Sequence, residues 1–119
     1  MTLDEKVGQL FIVGFDGTVP TKVLLGWIKA FRPGGVILFS RNIKQPAQVL
    51  RLTTALQAVS PDLPLFICVD QEGGKVSRLP PPFTQFPGGA TLGLCQPVSL
   101  AYAFGEVTAK ELEIGRAHV

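Results

Sequence analysis

The chain has 119 residues, 46% of them hydrophobic and 17% charged, with a formal net charge of +2. This is an ordinary globular composition at a length for one small domain at most, and the charge is spread along the chain with no basic run of the kind that binds nucleic acid. The longest apolar runs are about strand length, far short of the roughly 18 residues a membrane span needs.

Thr2 and Glu5 have capping-box spacing, which predicts a short helix over residues 3–8. Residues 10–14, Leu-Phe-Ile-Val-Gly, read as a buried strand. Gly14, Gly17 and Pro20 punctuate the turn that follows, with Asp16 as a turn former before Gly17. Leu24, Ile28 and Phe31 recur at helical spacing within residues 21–32, and Pro33-Gly34-Gly35 is expected to stop that helix. Residues 36–39 read as a second buried strand, and Ser40-Arg41-Asn42 as a polar turn. Pro46 suits a helical first turn, and Val49, Leu52, Leu56 and Val59 mark the inner face of the helix it opens. Pro61 and Pro64 bracket a connector to a third strand, residues 65–69. A long irregular segment rich in proline and glycine, residues 80–93, is expected to lie over the strand ends. A last helix starts near Pro97, with Leu100, Phe104 and Val107 on one side.

Strand, helix, strand, helix, strand with short connections implies an α/β fold with a parallel sheet. An open doubly wound sheet and the first units of a (β/α)8 barrel both satisfy the pattern. In either, ligands bind at the C-terminal ends of the strands. That places the most informative stretch of the chain, Asp70-Gln71-Glu72-Gly73-Gly74-Lys75-Val76-Ser77-Arg78, at a binding mouth. Asp70 opens the loop, the glycines allow it to turn sharply, and Arg78 brings a planar fork of donors back to the same place. Read from the residues alone, Asp70 is as well explained by a turn-capping carboxylate as by a ligand. Glu72 reads as structural, bonding backbone donors of its own loop. Arg41 and Asn42 end the second strand and form a second tier of candidates. No cofactor is implied: there is no dinucleotide or Walker pattern and no nucleophile elbow. Cys68 and Cys95 are far apart in no Cys-x-x-Cys pattern, so neither a disulfide nor a metal site is expected, and Cys68 suits a small apolar strand position.

The stretch Asp70–Arg78 resembles the Asp-Gln-Glu-Gly-Gly-Arg-Val-x-Arg signature of glycoside hydrolase family 3, in its β-N-acetylhexosaminidase branch, with Lys75 in place of the first arginine. Gly34-Gly35-Val-Ile-Leu-Phe-Ser-Arg41-Asn42 and Phe83-Thr-Gln-Phe-Pro87 are similar to two further stretches of that family. The resemblance extends from about Leu3 to about Leu112. It implies a (β/α)8 barrel of which this chain holds about three β/α units, incomplete, over residues 1–113. It implies a retaining enzyme that removes terminal N-acetylglucosamine, with cell-wall muropeptides as the bacterial substrates. Asp70 and Arg78 are then the substrate-binding residues. The nucleophilic aspartate and the acid/base histidine lie later in the family's sequence than this chain extends, so no catalytic residue is assigned here. A β-glucosidase of the same family is the sibling alternative, distinguished by a downstream Lys-His-Phe-Pro-Gly-His-Gly-type loop. A non-catalytic sugar-binding module is the alternative of another class.

Residues 113–119 read Glu-Ile-Gly-Arg-Ala-His-Val. The codons GAG ATC GGA AGA GCA CAC GTC, the start of a common sequencing adapter, encode that string. Residues 114–119 are therefore expected to be a non-native, adapter-encoded tail, and His118 is given no catalytic role. The N-terminus lacks a basic start followed by an apolar core. A cytoplasmic location is expected, unless the recorded start lies downstream of a lost leader. The partner expected is a carbohydrate, with no nucleic acid and no membrane span.

Overall fold

Thr2 Oγ1 accepts the Glu5 N–H at 3.2 Å and Glu5 Oε2 accepts the Thr2 N–H at 2.7 Å. This reciprocal cap starts α1 (Leu3–Gly8) as its spacing predicts. The computed structural model describes residues 1–95 and 97–113. The expected tail, residues 114–119, lies outside the described residues.

Thr21 Oγ1 caps α2 (Lys22–Phe31) by accepting the Leu24 N–H at 3.1 Å. The helix ends at Phe31, two residues before Pro33, because Arg32 itself turns left-handed at φ 52°. That conformation is uncommon without glycine. It is held by the Arg32 N–H to the Ile28 carbonyl at 2.8 Å, by Gln9 Nε2 to the Arg32 carbonyl at 2.8 Å, and by an ion pair with Glu5. Gly34 is thereby free for a close approach: a Cβ there would stand 2.3 Å from the Gln9 carbonyl oxygen.

Three short strands, β1 (Ile12–Gly14), β2 (Gly35–Leu38) and β3 (Phe66–Val69), form one parallel sheet in the order β1-β2-β3. Val13 pairs with Val36 and Val36 with Ile67, while Leu38 pairs with Val69. These residues share one face, and they join Ile28 of α2 and Leu52 and Leu56 of α3 (Pro46–Ala58) in the core. The helices thus cover a single face. The other carries Ile12, Ile37, Phe66 and Cys68, of which Ile12 is 53% and Phe66 65% exposed. The expectation of a buried first strand is corrected accordingly: β1 is an edge strand whose second face has no cover among the described residues.

A single 3-10 turn, Ser40–Asn42, follows β2. α3 begins at Pro46 and buries Val49, Leu52 and Leu56, with Val59 half-buried. Part of the segment expected to be irregular is helical: α4 (Gly89–Leu94) occupies it. Its sequence, Gly-Ala-Thr-Leu-Gly-Leu, has two poor helix formers and no side-chain cap, so propensity does not reveal it. α5 (Val98–Glu113) buries no residue outright, and Leu100 is 44% exposed. Its anchors are the Phe104 ring, edge-on to Phe86 at 5.0 Å, and Glu111, which accepts from the Thr84 N–H and hydroxyl at 2.9 and 2.7 Å. No described helix is long and apolar enough to cross a membrane.

Candidate carbohydrate site

Strand alternation carries Asp70 and Phe39 onto the uncovered face, next to Gly14 at the end of β1. Each strand therefore delivers one position to the same end of the sheet. Gly73 and Gly74 turn the chain back at φ 78° and 56°. A Cβ at Gly73 would stand 2.5 Å from the Pro87 carbonyl oxygen, so glycine is needed for space as well as for conformation. The loop is tied internally by the Glu72 N–H to the Val76 carbonyl at 2.9 Å. It is tied to the next segment by the Gly74 N–H to the Phe86 carbonyl at 2.9 Å.

Arg78 returns to Asp70 as expected. Nε donates to Oδ1 at 2.7 Å and Nη2 to Oδ2 at 2.6 Å, a parallel two-bond fork. Gln71 fixes the backbone there: its Oε1 accepts the Arg78 N–H at 2.7 Å and its Nε2 donates to Ser77 Oγ at 3.1 Å. The hydrogen bond from Arg78, with a smaller coulombic contribution, holds the Asp70 carboxyl below its ordinary value against the desolvation that raises it. The same bond raises Arg78. Both side chains remain partly exposed, at 36% for Asp70 and 25% for Arg78. Arg78 Nη1 has no partner among the described residues, and each Asp70 oxygen keeps acceptor capacity. A fixed carboxylate beside free guanidinium donors can accept from, and donate to, adjacent hydroxyls of one ligand.

Arg41 stands nearby. Its Nε donates to the Phe15 carbonyl at 3.0 Å and lies 2.7 Å from Asp16 Oδ1, so Asp16 is an ion-pair partner as well as a turn residue before Gly17. The Arg41 and Arg78 guanidinium carbons lie 4.7 and 5.6 Å from the Phe39 ring centroid. Asn42 is not a ligand. It is fully buried, donates to the Phe15 and Gly17 carbonyls at 3.0 and 2.8 Å, and accepts the Phe39 N–H at 2.9 Å. Gln48, which sequence reasoning missed, continues the clamp with bonds to the Thr18 and Asn42 carbonyls at 2.7 and 3.0 Å. The Glu72 side chain is exposed and only its backbone ties the loop, which corrects the expectation that its carboxylate does so. Cys68 and Cys95 are free thiols, and no described group of three or more His, Cys, Asp or Glu is placed to hold a metal ion.

Comparison with known proteins gives this arrangement a context. The sequence profile of the glycosyl hydrolase family 3 N terminal domain matches residues 2–116. A beta-hexosaminidase of Nitrosomonas eutropha is 47% identical over 87 residues, covering 67% of this chain and 24% of the relative. One from Pseudomonas aeruginosa is 52% identical over 54 residues, 45% of this chain and 16% of the relative. Among solved structures, a glycoside hydrolase family 3 beta-N-acetylglucosaminidase from Paenibacillus sp. superposes with a TM-score of 0.90 at 39% identity, over 97% of this chain and 22% of that one. NagZ from Neisseria gonorrhoeae superposes with a TM-score of 0.75 at 31% identity, over 87% and 33%. The chain thus spans a quarter or less of the curated relatives just described. The profile match over nearly its whole length shows that this chain belongs to glycosyl hydrolase family 3, within the family's N-terminal domain.

Proposed function

We propose that this chain supplies the sugar-gripping side of the active site of a retaining β-N-acetylhexosaminidase. Asp70 accepts hydrogen bonds from hydroxyls of the terminal N-acetylglucosamine and Arg78 donates to the neighbouring oxygens. The observation that carries the reading is the two-bond Asp70–Arg78 fork at the end of β3, partly open to solvent on the face the helices leave bare. A carboxylate with a depressed pKa is always ionised near neutrality and makes strong charge-assisted bonds to hydroxyls. Helices confined to one face support a sheet that continues into a (β/α)8 barrel, with residues 1–113 as its first β/α units. The nucleophile and acid/base of the double displacement come from chain beyond these residues, and muropeptide N-acetylglucosaminides are the substrate class.

The test uses a protein of the relatives' full length in which this segment replaces its counterpart in the Nitrosomonas eutropha relative. Hydrolysis of chromogenic N-acetylglucosaminides in preference to glucosides is expected. Asp70→Ala and Asp70→Asn should lower kcat/KM by about one to two decades, the effect of losing a charged hydrogen bond to substrate, with little change in thermal midpoint. A destabilised variant with near-normal kcat/KM would show Asp70 to be a turn cap. Preference for glucosides would move the reading to β-glucosidase.

A further inference from the structure

We infer that Phe39 is a positioning residue: its ring is the platform that holds the Arg78 guanidinium in the plane where it both grips Asp70 and meets the sugar. The inference rests on the sugar-binding reading of the Asp70–Arg78 pair. Phe39 follows β2 directly, and its backbone is fixed by the bond from its N–H to the buried Asn42 side chain at 2.9 Å. The ring is half-buried and lies under two guanidinium groups, Arg41 at 4.7 Å and Arg78 at 5.6 Å from its centroid. Both distances fall within the range over which the negative face of an aromatic ring attracts a cation.

Each cation also has its own carboxylate, Asp16 for Arg41 and Asp70 for Arg78. The ring therefore organises two ion pairs rather than neutralising either. A long arginine side chain otherwise loses substantial rotamer freedom when it is held in one orientation. A cation–π attraction to a fixed ring reduces the number of orientations open to Arg78 before substrate arrives, which lowers the ordering cost of binding.

Gly14 is part of the same device. A Cβ at Gly14 would stand 3.2 Å from Phe39 Cε2 and 3.5 Å from Arg41 Nη2. Its φ lies outside the left-handed region, so the glycine serves space and not conformation. The end of β1 is left bare where the ring of β2's successor residue needs room. The signature stretch ending at Arg41-Asn42 thus supplies a floor to the loop that ends at Arg78.

The test uses the same full-length chimera and a chromogenic N-acetylglucosaminide. Phe39→Leu keeps an apolar side chain of similar bulk but no ring face, and should raise KM about tenfold while changing kcat less. Phe39→Tyr should restore KM, a rescue that volume filling alone does not give. Gly14→Ala should raise KM by about threefold through displacement of the ring. In an Arg78→Ala background, Phe39→Leu should add little further loss in kcat/KM, because the guanidinium that meets the sugar is then gone, and Arg41 keeps Asp16 and the Phe15 carbonyl as partners. Full additivity of the two substitutions, or equal KM for Phe39→Leu and Phe39→Tyr, would overturn the inference. If Phe39→Leu does not fold, the decision passes to Gly14→Ala, where an unchanged KM would also overturn it. Should Arg78→Ala and Asp70→Asn themselves leave kcat/KM unchanged, the sugar-binding reading fails first; if those two matter and the Phe39 set does not, the platform alone fails.

Discussion

Asp70 titrates below its ordinary value of 3.8 because Arg78 hydrogen-bonds its charged form. A carboxyl whose pKa is depressed by folding adds stability that is fully present above the ordinary value and is lost as pH falls through the folded one. Glu5 behaves likewise from an ordinary value of 4.5, through the Thr2 N–H first and then Arg32. The thermal midpoint of the full-length chimera should therefore be insensitive to these groups from neutrality down to the ordinary carboxylate range and fall below it. Asp70→Asn should flatten part of that acid slope. In kinetics the sign gives the opposite emphasis: Asp70 is already ionised at every mildly acidic pH, so Asp70→Asn should lower the plateau of kcat/KM without moving its limbs. A shifted acidic limb would mean that Asp70 titrates in the reaction. Asn42 shows a different residue-scale effect. Asn42→Ala would leave the Gly17 carbonyl and the Phe39 N–H without their buried partner, at about 1–3 kcal/mol for each group left dry, while the Phe15 carbonyl would keep its bond from Arg41. A marked drop in midpoint is expected, and Asn42→Asp should not rescue it, because a carboxylate cannot donate to carbonyls. The return of Arg78 to Asp70 was legible in the sequence because a glycine turn between a strand end and an arginine brings the two ends of the loop together. Asn42 and Gln48 were not, because their partners are backbone carbonyls 25 to 30 residues earlier, which no local pattern announces.

The elements were read well where pattern and punctuation agree. Leu52 and Leu56 mark the inner face of α3, and Thr2 with Glu5 caps α1, as their spacing indicates. Apolar content alone misled at β1, since a run such as Leu-Phe-Ile-Val implies burial on two faces without saying what covers each. The covering helices stand on the side of Val13, Val36 and Ile67, and Ile12 and Phe66 are left open. β1 and β3 both present edges with no further strand among the described residues. The isolated 119-residue chain should therefore self-associate and bind an apolar dye. Sedimentation across a concentration series checks this, and a monomer with a sharp cooperative melt would contradict it.

Over the whole molecule, the Cα radius of gyration is 15.9 Å, with extents of 51 × 27 × 20 Å. A compact chain of this length has a radius of about 13.5 Å. The excess fits an α5 that buries no residue and is held at its middle by Phe104 and near its C-terminal end by Glu111 and Leu112. The best carboxylate at the site is engaged by Arg78, whereas a retaining glycosidase needs a free nucleophile and an acid/base about 5 Å apart. Purified alone, the chain should show no turnover of a chromogenic N-acetylglucosaminide above a mock preparation. Turnover that survives removal of host enzymes would place the missing groups within these residues.

The tethering of the loop at both ends has a consequence for how its gene can change. Arg78 reaches back to Asp70 by its side chain and to Gln71 by its N–H, and Gly74 docks on Phe86 midway. One residue more or fewer between 70 and 78 would swing the guanidinium off its carboxylate and lift the glycines from their seat together. Within this interval, then, mutation has letters to exchange but no length to spare: exposed Glu72 and Lys75 are open to substitution, while an in-frame insertion or deletion removes the whole grip in a single step.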